Sequence, residues 1–149
     1  MLSIRALPLI IISLIIYNVI AFWGGNGTPE AIKVCGETAP VFCTTLVKVP
    51  MLKGGIWTFT LGDLVLLVTL ILFFAELVKA TYTGTAAITD HALSMLVFII
   101  CLIEFLIVPQ AATSLFFFIT ILTLIDVIAG YTIGIRTARR DFNFAGGGS

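Results

Sequence analysis

From position 113 to 135 the chain reads TSLFFFITILTLIDVIAGYTIGI, a continuous apolar run with one charged side chain, Asp126. A helix needs roughly 20 mostly apolar residues to cross about 30 Å of hydrocarbon, and this run is long enough. An acid at a helix centre costs about 2.5–3.5 kcal/mol on the insertion scale, against about 0.3–0.6 kcal/mol gained per Leu, Ile, Phe or Val. The segment therefore inserts despite Asp126, provided that carboxyl is protonated, paired or turned away from lipid.

Three more runs of the same kind lie upstream, at 6–23, 61–80 and 91–108. The whole chain agrees with them: 149 residues are 60% hydrophobic and 11% charged, with mean hydropathy +1.18. A soluble domain of this size carries about 25% charged residues. Eight basic and eight acidic residues cancel, and no basic stretch is long enough to track a phosphate backbone, so nucleic acid is not an expected partner. The expected fold is an all-α integral membrane protein, a four-transmembrane-helix bundle forming one domain over 1–144. The closing Ala-Gly-Gly-Gly-Ser reads as an appended linker or disordered tail. The first run follows Arg5 as a signal peptide would. It ends in Phe-Trp-Gly-Gly, with no small-x-small cleavage site, and is expected to remain as an anchor.

Basic residues set the expected orientation. With the N-terminus in the cytoplasm, Arg5, Lys79, Arg136, Arg139 and Arg140 fall inside, and Lys33, Lys48 and Lys53 outside. Both termini are then cytoplasmic, and the 24–60 loop faces an oxidising compartment in which a Cys35–Cys43 disulfide persists. Small size and simple topology suggest a bacterial inner membrane. Trp23 and Trp57 mark the outer interface, Tyr82 and Tyr131 the inner one. A Cys35–Cys43 bridge would stabilise the loop by roughly 2.5 kcal/mol on the chain-entropy model. Thiol exchange is the alternative role for this pair, but the spacing is not Cys-x-x-Cys and no second outer pair exists, so a structural staple is the simpler reading. Within the same loop, 41–49 and 56–60 are rich in β-branched and aromatic residues and flank Pro50-Met-Leu-Lys-Gly-Gly55. A short β-hairpin lying on the bundle is expected there. Asn26-Gly-Thr28 matches a glycosylation sequon but lies too close to Trp23 and the bilayer to be used.

Ionisable groups within the spans are functional candidates by default. Thr60-Leu-Gly-Asp63 has the pattern of a capping box at the start of the second span. Asp90, with Thr89, is expected to cap the third in a similar way, placing His91 at the inner interface, where a lone His is most simply a hydrogen-bonded surface residue. Glu76 precedes Lys79 by three and reads as a snorkelling ion pair. Glu104 and Asp126 have no Lys or Arg within their own spans. Asp90, Ser94, Cys101 and Glu104 share a stripe on the third span; Thr123, Asp126, Gly130 and Gly134 share one on the fourth. The second adds Gly62, Thr69 and Glu76, and Asn18 of the first lies at about the depth of Glu104. Such stripes normally face one another. A proton or cation relay through Glu104 and Asp126 is one reading. The other is a protonated carboxyl acting as hydrogen-bond glue, with Asn18, Thr120 or Thr123 as partner. Gly130-Tyr-Thr-Ile-Gly134 allows close helix approach, within the bundle or between protomers.

No phosphate-binding glycine loop, His-x-x-x-His pair or Ser-His arrangement occurs. A single His makes haem or zinc chemistry improbable, so neither metal nor cofactor is expected; a site from Glu76, Asp90 and His91 is the nearest alternative. The sequence points to a non-enzymatic protein of the lipid bilayer, an accessory or assembly subunit with a membrane-protein partner or a homo-oligomer.

Overall fold

The computed structural model describes residues 7–25, 32–33, 39–81 and 87–145. The four helices are α1 (Ile10–Trp23), α2 (Leu61–Thr81), α3 (Ala87–Ile107) and α4 (Ser114–Ala145). A two-stranded antiparallel hairpin, β1 (Thr45–Pro50) and β2 (Ile56–Thr60), lies between α1 and α2. Among the described residues three helices can cross a bilayer by length and composition: α2, α3 over Asp90–Ile107 and α4 over Ser114–Ile135. The protein is thus helical and integral to the membrane. Helix α4 packs along each of the other three, and α1 also along α2.

The first helix departs from its expected range. It has 14 residues, about 21 Å at 1.5 Å per residue, and starts at Ile10 where the sequence suggested position 6. Pro8 is the cause: the residue before a proline is pushed out of the α region, so the helix cannot extend back through Leu7. The third helix starts earlier than expected, at Ala87. Asp90 therefore stands inside the first turn and is not the N-cap. The fourth runs on to Ala145, beyond the apolar run, because hydropathy ends at Ile135 while no Pro or Gly stops the helix until Gly146.

The start of α2 is a closed capping box. The Thr60 backbone N–H donates to Asp63 Oδ2 (2.8 Å), the Asp63 N–H donates back to Thr60 Oγ1 (3.2 Å), and the Thr60 hydroxyl donates to the same carboxylate oxygen (2.8 Å).

The hairpin differs from expectation in extent and in placement. Ala39 adopts a left-handed φ of 49° and Pro40 opens a 3-10 turn, Pro40–Cys43, whose Val41 and Phe42 are buried against the helices. Val41 and Phe42 are drawn into the core in this way, so β1 begins only at Thr45. A bulge follows between Thr45 and Val47. The turn is closed by Met51 N–H to Gly55 O (2.7 Å) and Gly54 N–H to Met51 O (3.0 Å), with Gly54 at φ 84°. Most strand residues are exposed. The hairpin stands off the bundle, not on it.

At the hairpin end the core is aromatic. Tyr17 of α1 is fully buried, stacked on Phe42 (ring centroids 4.6 Å) and tilted against Phe116 (4.7 Å). Its hydroxyl donates to Gln110 O (2.8 Å) and lies 2.7 Å from Thr113 Oγ1. Gln110 belongs to the turn Pro109–Ala111 that joins α3 to α4, and Thr113 caps α4 by accepting the Phe116 N–H (3.1 Å). One phenol thereby ties α1 to the α3–α4 junction. Tyr17→Phe keeps the packing but leaves the Gln110 carbonyl short of a donor, so we expect a loss of about 1–3 kcal/mol, measured by thermal or denaturant unfolding in detergent.

Candidate functional site

Glu76, Lys79 and Asp90 gather at the end of the bundle opposite the hairpin, while Asp63 and Glu104 lie toward the hairpin end. Lys79, in the last turn of α2, has three ammonium protons and three acceptors. They are Glu76 Oε1 one turn back (3.0 Å), Asp90 Oδ1 of α3 (2.9 Å) and the backbone carbonyl of Leu7 ahead of α1 (3.0 Å). An ammonium group has three donors and no more, so Lys79 is saturated. The second oxygen of Glu76, Oε2, accepts the backbone N–H of Leu9. Glu76 is 2% exposed, and Asp90 and Lys79 are partly covered.

This arrangement follows from Pro8. The proline has no N–H of its own and prevents the helix from continuing, leaving the Leu7 carbonyl and Leu9 N–H without helical partners. Away from water such groups each cost several kcal/mol. The Glu76–Lys79 pair supplies one acceptor and one donor, one to each side of Pro8. The expected Glu76–Lys79 ion pair is present (3.0 Å), and beyond it Glu76 is buried and acts on the backbone of α1. Asp90, expected to cap α3, instead holds Lys79 from the neighbouring helix.

Asp126 lies one layer further in, 4% exposed, within hydrogen-bonding reach of Ser94 on α3 and within electrostatic reach of Glu76, Asp90 and Lys79. Its Oδ2 is buried without a hydrogen-bond partner, as is Ser13 Oγ on α1. Glu104, half-buried on α3, reaches Asn18 of α1, whose amide also donates to Leu14 O (3.1 Å). Thr120 and Thr123, proposed as carboxyl partners, donate to the backbone of their own helix, at Phe116 O (3.0 Å) and Thr120 O (2.7 Å). Ser94 takes the role they were expected to fill.

The small-residue motif also has a partner inside the chain. The His91 ring lies over Gly130, where a Cβ would come within 2.4 Å of Nδ1, and close to Gly134, where it would come within 3.5 Å of Nε2. Tyr131 completes the contact, with ring centroids 5.8 Å apart. His91 is consequently directed at α4, while Glu76 and Asp90 converge on Lys79. The three do not form a common site, and among the described residues no group of three or more His, Cys, Asp or Glu is placed to hold a metal ion.

Cys101 is a free, buried thiol on the inward stripe of α3, in reach of Thr123. Cys43 ends the 3-10 turn. Cys35 and the 26–28 sequon lie outside the described residues, as do Arg5, Tyr82 and the side chains of Arg136, Arg139 and Arg140. At the hairpin end a cavity of about 520 Å³ opens between the 3-10 turn and the first turns of α2 and α4, lined by Phe42, Thr60, Asp63, Leu66, Thr113 and Phe118 among others. Its one carboxylate, Asp63, is committed to the capping box.

No protein-family model, characterised protein or solved structure matches the chain. Chemically, the interior offers ionisable groups already engaged with neighbouring helices, without a nucleophile–base pair among the described residues. Two residues central to it were missed from sequence. Tyr17 carries no local signal beyond being the only tyrosine of its span. Ser94 was placed on the right stripe but not paired with Asp126.

Replacing Lys79 by Met leaves Glu76 and Asp90 without their counter-charge and the Leu7 carbonyl without a donor. A loss of about 3–5 kcal/mol is expected for breaking a buried pair on one side. Lys79→Arg, which keeps the charge, should lose less. Unfolding of the purified variants in detergent measures both.

Proposed function

We propose that this protein works without catalysis, through helix contacts, as a small accessory or assembly subunit of a membrane complex or as a homo-oligomer. The observation that supports this reading is the use made of each intramembrane acid. Glu76 serves α1 from α2, Asp90 serves α2 from α3, Asp126 faces Ser94 across α3–α4, and Glu104 faces Asn18 across α3–α1. Polar groups employed as interhelical hydrogen bonds are the usual glue of membrane bundles. The Gly130–Gly134 surface is filled by His91 of the same chain, so contact with a partner falls to the apolar outer faces, where Phe74, Leu106 and Ile107 are exposed.

In this reading α1, extended by 7–9, is the fourth span. Arg136, Arg139 and Arg140 follow the apolar part of α4, which favours a cytoplasmic C-terminus and, across four spans, a cytoplasmic N-terminus. The hairpin end then faces outward, where a Cys35–Cys43 bridge is favoured, and a bacterial inner membrane is the host. Gentle extraction followed by identification of co-purifying chains tests the role. A stoichiometric membrane partner or a stable homo-oligomer is expected; a monodisperse monomer in native lipid nanodiscs refutes it.

A second reading is favoured by one observation, the unpartnered buried Oδ2 of Asp126 beside a cluster in which two carboxylates, Glu76 and Asp90, face one ammonium. An acid so placed can exchange protons, making Asp126 and Glu104 carriers in proton-coupled transport. Proton flux in liposomes should then fall at least tenfold in Glu104→Gln and Asp126→Asn, on the order of the loss of a group on the transport path. Unchanged flux ends this alternative and leaves the first.

A further inference from the structure

The hairpin has two unlike faces. Directly paired residues share a face, and faces alternate along a strand. The pairs Val47–Phe59 and Val49–Trp57 therefore make one side, with the Trp57 and Phe59 rings packed edge to face at 5.7 Å. Lys48–Thr58 and Pro50–Ile56 make the other. The first side is apolar throughout and partly uncovered: Val47 is 52% and Trp57 50% exposed, while Val49 and Phe59 are half-buried. At the tip, Leu52 and Met51 project freely, and Lys53 stands next to them. Residues 44–60 contain two lysines and no acid.

From this we infer that the hairpin is a binding element for anionic phospholipid, lying in the headgroup zone of the leaflet at its own end of the bundle. The apolar side and the tip enter the acyl boundary, and Lys48 and Lys53 meet the lipid phosphates.

Three observations select lipid as the occupant. The first is continuity: β2 ends at Thr60 and α2 begins at Leu61 without a linker, and the Leu61 N–H donates to Thr44 O (2.9 Å). The hairpin base is therefore fixed at the point where the lipid-facing surface of α2 starts, with Leu64 and Leu67 exposed just below. A five-residue strand reaches about 17 Å, enough to lie within the interfacial layer. The second is charge. Each basic residue near an anionic surface favours binding, whereas lysine is depleted from the cores of protein interfaces. Aromatic residues such as Trp57 also concentrate at the bilayer boundary. The third is the state of the strand edges. In a two-stranded sheet both strands are edges, and here the bulge after Thr45, Lys48 and Pro50 all oppose the addition of a strand from another protein.

The test uses the full chain reconstituted in vesicles. Trp23→Phe leaves Trp57 as the single tryptophan. Its emission is compared in phosphatidylcholine with brominated acyl chains, with and without phosphatidylglycerol. Blue-shifted emission, quenched by bromine and more strongly when phosphatidylglycerol is present, is expected. Lys48→Ala and Lys53→Ala should each weaken the phosphatidylglycerol-dependent part about fivefold, the effect of one basic residue at an anionic surface. Leu52→Asp, at a side chain without packing contacts to lose, should return the emission toward that in water while circular dichroism shows unchanged helix content. Water-like, acrylamide-quenched emission in both lipids overturns the inference. So does equal quenching in both, which removes the role of charge. Emission that shifts only when a second protein co-purifies also overturns it, assigning the surface to protein.

Discussion

A proline near the start of a membrane helix exposes backbone polar groups where no water can satisfy them, and the structure of this bundle is arranged around that constraint. Pro8 stops α1 from continuing and leaves a carbonyl at Leu7 and an N–H at Leu9. Glu76 and Lys79, one helical turn apart on α2, provide one complement to each. Because Lys79 has a third proton, the same group reaches Asp90 and draws in α3. Three helices are thereby joined by one ammonium and two carboxylates, and α4 closes over them with Asp126 against Ser94. At the opposite end Tyr17 performs a comparable service for the α3–α4 turn. Between these two polar fixtures the core mixes apolar side chains with buried hydroxyls such as those of Thr69 and Thr123.

Much of this was legible in the sequence because the physics is local. The apolar runs gave α2, α3 and α4, since no soluble helix can afford such composition around its circumference. Thr60 and Asp63 announced their capping box through spacing alone, and alternation of β-branched residues around Pro50–Gly55 announced the hairpin. The inward stripes were readable too: Thr69, Glu76, Ser94, Cys101, Thr123 and Asp126 are buried, while Ile71, Phe74, Ile103 and Leu106 are exposed. What escaped depends on contacts between distant segments. Lys79 looked like the partner of Glu76 three residues away, and nothing local indicates that Leu7 and Asp90 compete for its remaining protons. Gly130 and Gly134 left packing within the bundle and between protomers equally open, and it is the His91 ring of the same chain that lies over them. Val41 and Phe42 look like strand residues, but burial beside Tyr17 offers them more than a ladder does.

The candidate site was legible as a set of residues rather than as pairs. Depth along each helix follows from counting, so Asn18 and Glu104 fell together. Rotation between helices does not follow from counting, and Ser94 rather than Thr120 or Thr123 met Asp126 for that reason. Glu76 and Asp90 are engaged with neighbouring helices. The unclaimed oxygen of Asp126 is the exception, and it gives the transport reading its foothold. Outside the bundle, the hairpin presents apolar side chains and lysines that the helices do not use.

The hydrogen bond from the Leu9 N–H to Glu76, beside Pro8, is the interaction on which the joining of α1 to α2 rests. Hydrogen exchange of the backbone amides over residues 7–12, read by mass spectrometry or NMR in nanodiscs, measures it. The intact protein should protect the Leu9 amide strongly, and Glu76→Ala should release it together with the first turn of α1 while α2 stays protected. A Leu9 amide that exchanges equally slowly in both proteins would contradict the account.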